Sequence, residues 1–327
     1  MINGRLAHID PAHPTTASAL DPSALDPVAH EGAIVVAGVS KSFGSTTAVD
    51  NVSFTVGKGE VFGLVGPNGA GKTTLIRMIM NIFRPDEGGI RVFGKALAPE
   101  DKDRIGYLPE ERGVYTKQKA RFVLEYFAQL KGLSRADARS NAERWLKKLD
   151  LWEVRDRQIQ ELSKGNQQKL QLISAVIADP EVVILDEPLS GLDPVNVRVL
   201  MSVIRELAAD GKAVLFSSHQ MNLVEILCQR VLMIHRGKAM LYGNLDRIRR
   251  DYSDNAVLVQ TGAALDDCPF VLKTLSHEQG RKVYLRHESH PEDLLSWLIH
   301  RGSGVKFFEQ LPVKLEEIFI KIVEGNQ

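Results

Sequence analysis

The apolar positions of this chain change their spacing several times, and each change predicts an element. Residues 1–32 are rich in Ala, Pro, Asp, Ser and His and carry no sustained hydrophobic period. Three Asp-Pro pairs there (Asp10-Pro11, Asp21-Pro22, Asp26-Pro27) favour turns, so 1–32 reads as a disordered N-terminal tail. Order is expected from Ile34. Residues 34–36 and 52–56 read as strands, and 61–65 is a short apolar run stopped by Gly66-Pro67-Asn68-Gly69. From 71 to 83 the spacing turns helical, with Leu75, Ile76, Met78, Ile79 and Ile82 on one broad face and Pro85 closing the run.

From about 110 to 178 the pattern is mostly helical. Helices are expected over 121–130, from the Ser134-Arg-Ala-Asp137 capping pattern to about 149, and over 167–178. Strands return at 182–185 and 213–216, with a helix over 194–209 between them. Asp193 suits its N-cap, Pro194 its first turn, and Gly211 its end. A further strand is expected over 230–235. Strands alternating with helices imply an α/β core, with the helical block 110–178 as an inserted subdomain. After Gly243 the texture changes. Segments 256–260 and 282–286 alternate like strands, while 291–299 and 315–322 look helical. The chain therefore divides into the tail, a main domain over 33–245 and a small C-terminal α+β domain over 246–327, as its 327 residues allow.

Composition narrows the function classes. Lys plus Arg number 41 and Asp plus Glu 41, so the formal charge is zero. A protein devoted to nucleic acid usually carries a basic excess, and the Arg247, Arg249, Arg250 cluster reads as a solvated helix face; no nucleic-acid partner is expected. The two cysteines, Cys228 and Cys268, are far apart and fit a reducing compartment. No apolar run approaches the roughly 20 residues that cross a bilayer, and the N-terminus does not resemble a signal peptide. A membrane role would have to come through a partner.

The chemistry concentrates in a few motifs. Gly66-Pro67-Asn68-Gly69-Ala70-Gly71-Lys72-Thr73-Thr74 matches the G-x-x-x-x-G-K-[ST] phosphate loop. Its glycines let successive N–H groups turn toward an anion, Lys72 supplies a cation for the outer phosphates, and Thr73 a hydroxyl for Mg²⁺. The helix that follows points its positive end at the same place. Downstream, Val182-Val-Ile-Leu-Asp186-Glu187 is an apolar strand delivering two carboxylates. Asp186 is expected in the Mg²⁺ shell and Glu187 as general base on the attacking water.

Further elements resemble one family. Leu162-Ser163-Lys164-Gly165-Asn166-Gln167 resembles the ATP-binding-cassette signature Leu-Ser-Gly-Gly-Gln, and Ser190-Gly191-Leu192-Asp193 resembles its D-loop. His219 resembles its switch histidine, and Phe43 sits where the family stacks a ring on adenine. On these motifs, from residue 34 to about 245, the chain is identified as a member of the ATP-binding-cassette (ABC) ATPases. The resemblance implies a P-loop NTPase fold: a mixed α/β sheet core, an antiparallel β-subdomain and the inserted helical subdomain. It implies ATP and Mg²⁺ as cofactors and hydrolysis coupled to transport. The partners would be an integral membrane permease, at the cytoplasmic face of the membrane, and a second cassette, a copy of this chain in a homodimer. Ser163 stands at a helix start, a second anion site, so a second nucleotide is implied. Ser163, Gly165 and Asp193 would close over the ATP of the other cassette.

Two motifs depart from the family pattern. Lys164 and Asn166 replace Gly and Gln in the signature, adding charge and bulk at the dimer seam. Glu110, after the run Ile105-Gly-Tyr-Leu-Pro109, replaces the usual Q-loop glutamine; its carboxylate would still reach Mg²⁺ or its water. The segment from Tyr107 to Tyr115 and the C-terminal domain are similar to a bacterial exporter subset that includes sodium-extrusion and drug-resistance types, which implies export. The alternatives are a soluble ABC ATPase acting on ribosomes, and a regulatory cassette without turnover. Against the first, the chain has neither a second phosphate loop nor heptads.

Overall fold

The computed structural model describes residues 32–111, 115–252, 255–286, 288–310 and 313–325. The tail expected over 1–32 therefore lies outside the described residues except for Gly32, as do Arg112, Gly113 and Val114 of the exporter-like segment. The chain divides into two units, the break falling between Tyr242 and Gly243.

The first unit opens with β1 (Ile34–Phe43) and β2 (Thr46–Val56), an antiparallel pair longer than the two short strands expected. Next come β3 (Val61–Val65), α1 (Lys72–Ile79), β4 (Glu87–Val92) and β5 (Ile105–Leu108). The helix expected over 71–83 stops at Ile79. Met80 caps it and Asn81 turns left-handed at φ 52°, so Ile82 leaves the helical face and is exposed. The helical insertion follows: α2 (Ala120–Leu130), α3 (Arg135–Lys148) and α4 (Lys164–Val176). Ser134 caps α3 by accepting from Asp137 N. The unit continues through β6 (Val182–Asp186), α5 (Pro194–Ala209), β7 (Ala213–Ser218), α6 (Met221–Leu227), β8 (Arg230–His235) and β9 (Lys238–Asn244).

These strands make two sheets. One is antiparallel, in the order β2-β1-β4; the other has the order β5-β6-β7-β3-β8-β9, its first five strands parallel. Strands β3, β6 and β7 are buried along their whole length, as a parallel sheet covered on both faces requires. The main core lies between the sheets around α1, where Leu75, Ile76 and Ile79 pack with Phe54, Phe62, Ile184 and Leu215. Each of these side chains contributes about 1.5–3 kcal/mol by leaving water. Arg230 ties the sheets by donating to Glu60 Oε1 (2.9 Å) and Thr55 O (3.3 Å).

One register decides where the chemistry collects. Asp186 pairs with Ser217, and Val65 with Ser218. The carboxyl ends of β3, β7 and β6 therefore finish level along one sheet edge, where open α/β sheets bind ligands.

The second unit holds α7 (Leu245–Asp251), β10 (Ala256–Gln260), β11 (Val271–His277), β12 (Gly280–Leu285), α8 (Pro291–His300), β13 (Phe307–Gln310) and α9 (Leu315–Gly325). Its strands form an antiparallel sheet in the order β11-β12-β10-β13. Leu294 and Leu298 of α8 pack on Val257, Val259, Val283 and Leu285.

Candidate functional site

The loop from Gly66 to Thr74 joins the end of β3 to α1. Its glycines are required by contact as well as by turning. A Cβ at Gly66 would stand 2.2 Å from Ile234 O. Gly71, at φ 110°, would place one 2.4 Å from Ala48 O. Gly71 is also the N-cap of α1 and offers no side chain to the helix's first N–H groups. Those donors are left for an anion, together with the dipole's positive end. Asn68 and Gly69 lie exposed at the loop's crest, while Pro67, Thr73 and Thr74 are half-buried and Ala70 is buried.

Lys72 is buried. Its ammonium donates to Gly66 O (2.7 Å) and Pro67 O (3.2 Å) and stands 3.5 Å from Glu187 Oε1. Thr73 Oγ1 donates to Asp186 Oδ2 at 3.1 Å. The hydroxyl and the carboxylate expected to share a metal thus already share a hydrogen bond.

The two adjacent carboxylates reach one site by a break in backbone conformation. Strand β6 ends at Asp186, and Glu187 turns left-handed at φ 50°, which costs a non-glycine residue roughly 1–2 kcal/mol. Without that turn, alternation would send Glu187 to the opposite face of the sheet. Ser217 holds the turn: it donates to Asp186 Oδ1 (2.5 Å) and its Oγ accepts from Glu187 N (3.1 Å). His219, one residue past β7, pairs through Nδ1 with Glu187 Oε2 at 2.9 Å. A carboxylate can only accept, so Nδ1 carries the proton and Nε2 is left as the second ring nitrogen for another partner.

Glu187 Oε1 is buried and accepts no hydrogen bond. A buried orphan acceptor beside a lysine and an anion cradle fits a proton-bearing ligand there. The donor set around Asp186 also fits a hard cation: a carboxylate and a hydroxyl, both oxygen donors. Tyr107 of β5 lies on the same side. Burial first, and then the Asp186 charge, pushes its hydroxyl up to about 12.

A second cluster forms around the start of α4. Ser163 is its N-cap, with Oγ accepting from Asn166 N at 3.3 Å, and Ser163 and Lys164 are exposed. This helix begins three residues earlier than the 167–178 expected, because Ser163 supplies the cap. Gly165 is buried. Asp193 caps α5 by accepting from Val195 N and Asn196 N, both at 3.0 Å. These bonds, those from Asn196 first, hold its carboxyl below the usual range. Gln168 of α4 donates to Pro188 O (2.8 Å), so the second cluster is tied to the carboxylate strand's exit.

Phe43 ends β1, is 45 % exposed, and meets Phe83 edge-on at 5.4 Å. Its hairpin touches the phosphate loop at Ala48. Glu110 is exposed, two residues past β5, within electrostatic reach of Tyr107. The structure therefore gathers Lys72, Thr73, Asp186, Glu187 and His219, gathers Ser163, Gly165 and Asp193 separately, and leaves Phe43 and Glu110 outside both clusters. Sequence reasoning missed Ser217, Gln168 and Asn196. Ser217 had a readable signal, as one of two serines in an otherwise apolar run just before His219.

The chain is similar to known proteins over most of its length. Residues 49–190 match the family model of the ABC transporter. An uncharacterized ABC transporter ATP-binding protein, YhaQ, of Bacillus subtilis (strain 168) is 39% identical over 291 residues, covering 87% of this chain and 96% of its own. The Nod factor export ATP-binding protein I of Paraburkholderia xenovorans (strain LB400) is 38% identical, covering 65% of this chain and 71% of its own. A solved ATP-binding subunit of an ABC transporter superposes with a TM-score of 0.63 at 31% identity, over 67% of this chain and 92% of that one. The phosphate loop, carboxylate strand and histidine thus stand in the ATP-hydrolysing cassette of a transporter, and the chain belongs to the ABC transporter ATP-binding family.

Proposed function

We propose that this chain is the motor of an exporter: two copies close head to tail over two ATP molecules and drive a separate membrane permease. The observation that carries the reading is the cluster at the end of the phosphate loop, where the buried Lys72 and Glu187 meet and the solvent-accessible His219 pairs with Glu187. Glu187 Oε1, free of hydrogen bonds, takes the proton of a water that attacks the γ-phosphorus. The bond from that phosphorus to the bridging oxygen breaks, and ADP leaves with the electron pair. Lys72 exchanges its loop carbonyls for phosphate oxygens. His219 holds Glu187 through Nδ1–H, and with a second proton on the ring it donates from Nε2 to the γ-phosphate. Thr73 and Asp186 would hold Mg²⁺, which would supply positive charge to neutralise the phosphate oxygens. Glu110 would serve that ion's water, and Phe43 would stack on adenine.

The partner copy is supported by the second cluster. Ser163 and Lys164 present an exposed helix start that this chain's own phosphate loop does not use. The permease is supported by two facts. Among the described residues no helix is long and apolar enough to cross a membrane. The helical insertion also exposes Phe122 (55%), Tyr126 (37%) and Leu130 (57%) of α2 along one groove, an apolar face suited to a protein partner. Work at such a permease would place the chain at the cytoplasmic face of the membrane. The export direction rests on likeness to the Nod factor export protein.

Sedimentation of the full-length Glu187→Gln chain with ATP and Mg²⁺ tests the reading. A dimer that forms only with nucleotide supports it, and a monomer at saturating ATP contradicts it. Co-purification of a multi-spanning membrane protein with the tagged chain from detergent-solubilised membranes tests the permease, and its absence overturns that part.

A further inference from the structure

Neither cluster's motif includes Asn196, in the first turn of α5, yet it touches both loops of the second one. Its side-chain Nδ2 donates to Asp193 Oδ2 at 2.5 Å. The same amide lies against the Cα of Gly165, so closely that a Cβ there would stand 2.3 Å from Nδ2 and 2.7 Å from the amide carbon. Those atoms end a flexible side chain and could move aside, but only by giving up the bond to Asp193.

We infer that Asn196 is a positioning residue that straps the signature turn at Ser163–Gly165 to the Asp193 loop, so that both meet the nucleotide of the partner cassette as one rigid surface. The inference rests on the two-cassette reading above. The chemistry suits the role. A planar amide has two donors and an acceptor, so it can bond a carboxylate while its flat face packs on a glycine. An aspartate in its place would set two carboxylates against each other. The buried bond from Gln168 to Pro188 O fixes the next turn of α4, leaving Asn196 as the tie at the helix start.

The strap makes Gly165 and Asn196 interdependent. Gly165→Ala forces the amide off Asp193, whereas in Asn196→Ala the space for the methyl exists. The test uses the full-length chain. It combines steady-state ATPase as a function of protein concentration, mant-ATP binding, and hydrogen exchange of peptides spanning 162–168. For Asn196→Ala we expect kcat to fall about tenfold, mant-ATP affinity for the chain's own phosphate loop to stay within about twofold, and exchange at 162–168 to rise. Gly165→Ala is expected to lose less activity in the Asn196→Ala background than in the parent. Ser163→Ala provides the separate arm. If Asn196→Ala keeps full kcat while Ser163→Ala lowers it, the strap is wrong and the two-cassette reading survives. If neither lowers kcat, that reading is overturned and the strap with it.

Discussion

Ser217→Ala removes one oxygen from a buried point where three groups meet. Ser217 is fully buried, donates to Asp186 Oδ1 and accepts from the backbone of Glu187. A hydrogen bond to a charged group contributes about 1.5–3 kcal/mol, and a buried N–H left without a partner costs roughly 1–3 kcal/mol. The site lies in a tightly packed strand, so little relaxation offsets these losses, and the variant is expected to be destabilised by about 2.5–6 kcal/mol. The left-handed turn at Glu187 loses its anchor as well. If about half of that energy is missing in the transition state, kcat falls roughly 10-fold or more, at 1.36 kcal/mol per decade. The neighbouring Ser218 is a built-in control: among the described residues its hydroxyl bonds Gln220 N alone, at 3.0 Å, so Ser218→Ala should cost about 1 kcal/mol. Urea unfolding and steady-state ATPase on the three proteins measure both quantities. A Ser217→Ala protein within about 0.5 kcal/mol of the parent, with kcat within twofold, would refute the claim that Ser217 sets the carboxylates.

Two further outcomes follow from the same geometry. Gly66→Ala places a methyl against the Ile234 carbonyl, which is backbone and cannot swing away; ATP affinity should fall at least about tenfold by mant-ATP titration, while far-UV circular dichroism stays native. Asp193 has its folded pKa lowered by the amides of Asn196 and Val195. Its contribution is therefore present above the unfolded value of about 3.9 and lost as pH falls through the folded value. Asp193→Ala should lower Tm at pH 7, and the gap should narrow at acid pH below the unfolded value; a gap independent of pH would contradict the capping role.

Much of the site was legible because its motifs are contiguous. A phosphate loop needs a strand, a glycine turn and a helix in immediate succession, and all three fall within residues 61–79. The α5 boundaries, 194–209, read correctly because Asp193, Pro194 and Gly211 are local punctuation. The edge strands β4 and β11 did not read. β4 buries only Val92 fully, and β11 buries no residue fully, so neither shows a hydrophobic period. The positioning side chains did not read either, because Ser217 and Asn196 act through partners distant in sequence. Ser217 meets Asp186 only through the β6–β7 register. Asn196 meets Gly165 only through the packing of α5 on the start of α4. The conformation of Glu187 was likewise hidden: nothing in Asp186-Glu187-Pro188 announces a left-handed residue, and the turn exists because Ser217 and His219 hold it.

The proposed hydrolysis turns on Glu187 Oε1 taking the proton of the attacking water. Glu187→Gln keeps the side chain's size and removes its basicity. Single-turnover hydrolysis by the full-length variant, with mant-ATP affinity measured in parallel, is the direct test. The rate is expected to fall by at least about 10²-fold with ATP affinity within about threefold of the parent. A variant that hydrolyses ATP as fast as the parent would contradict it.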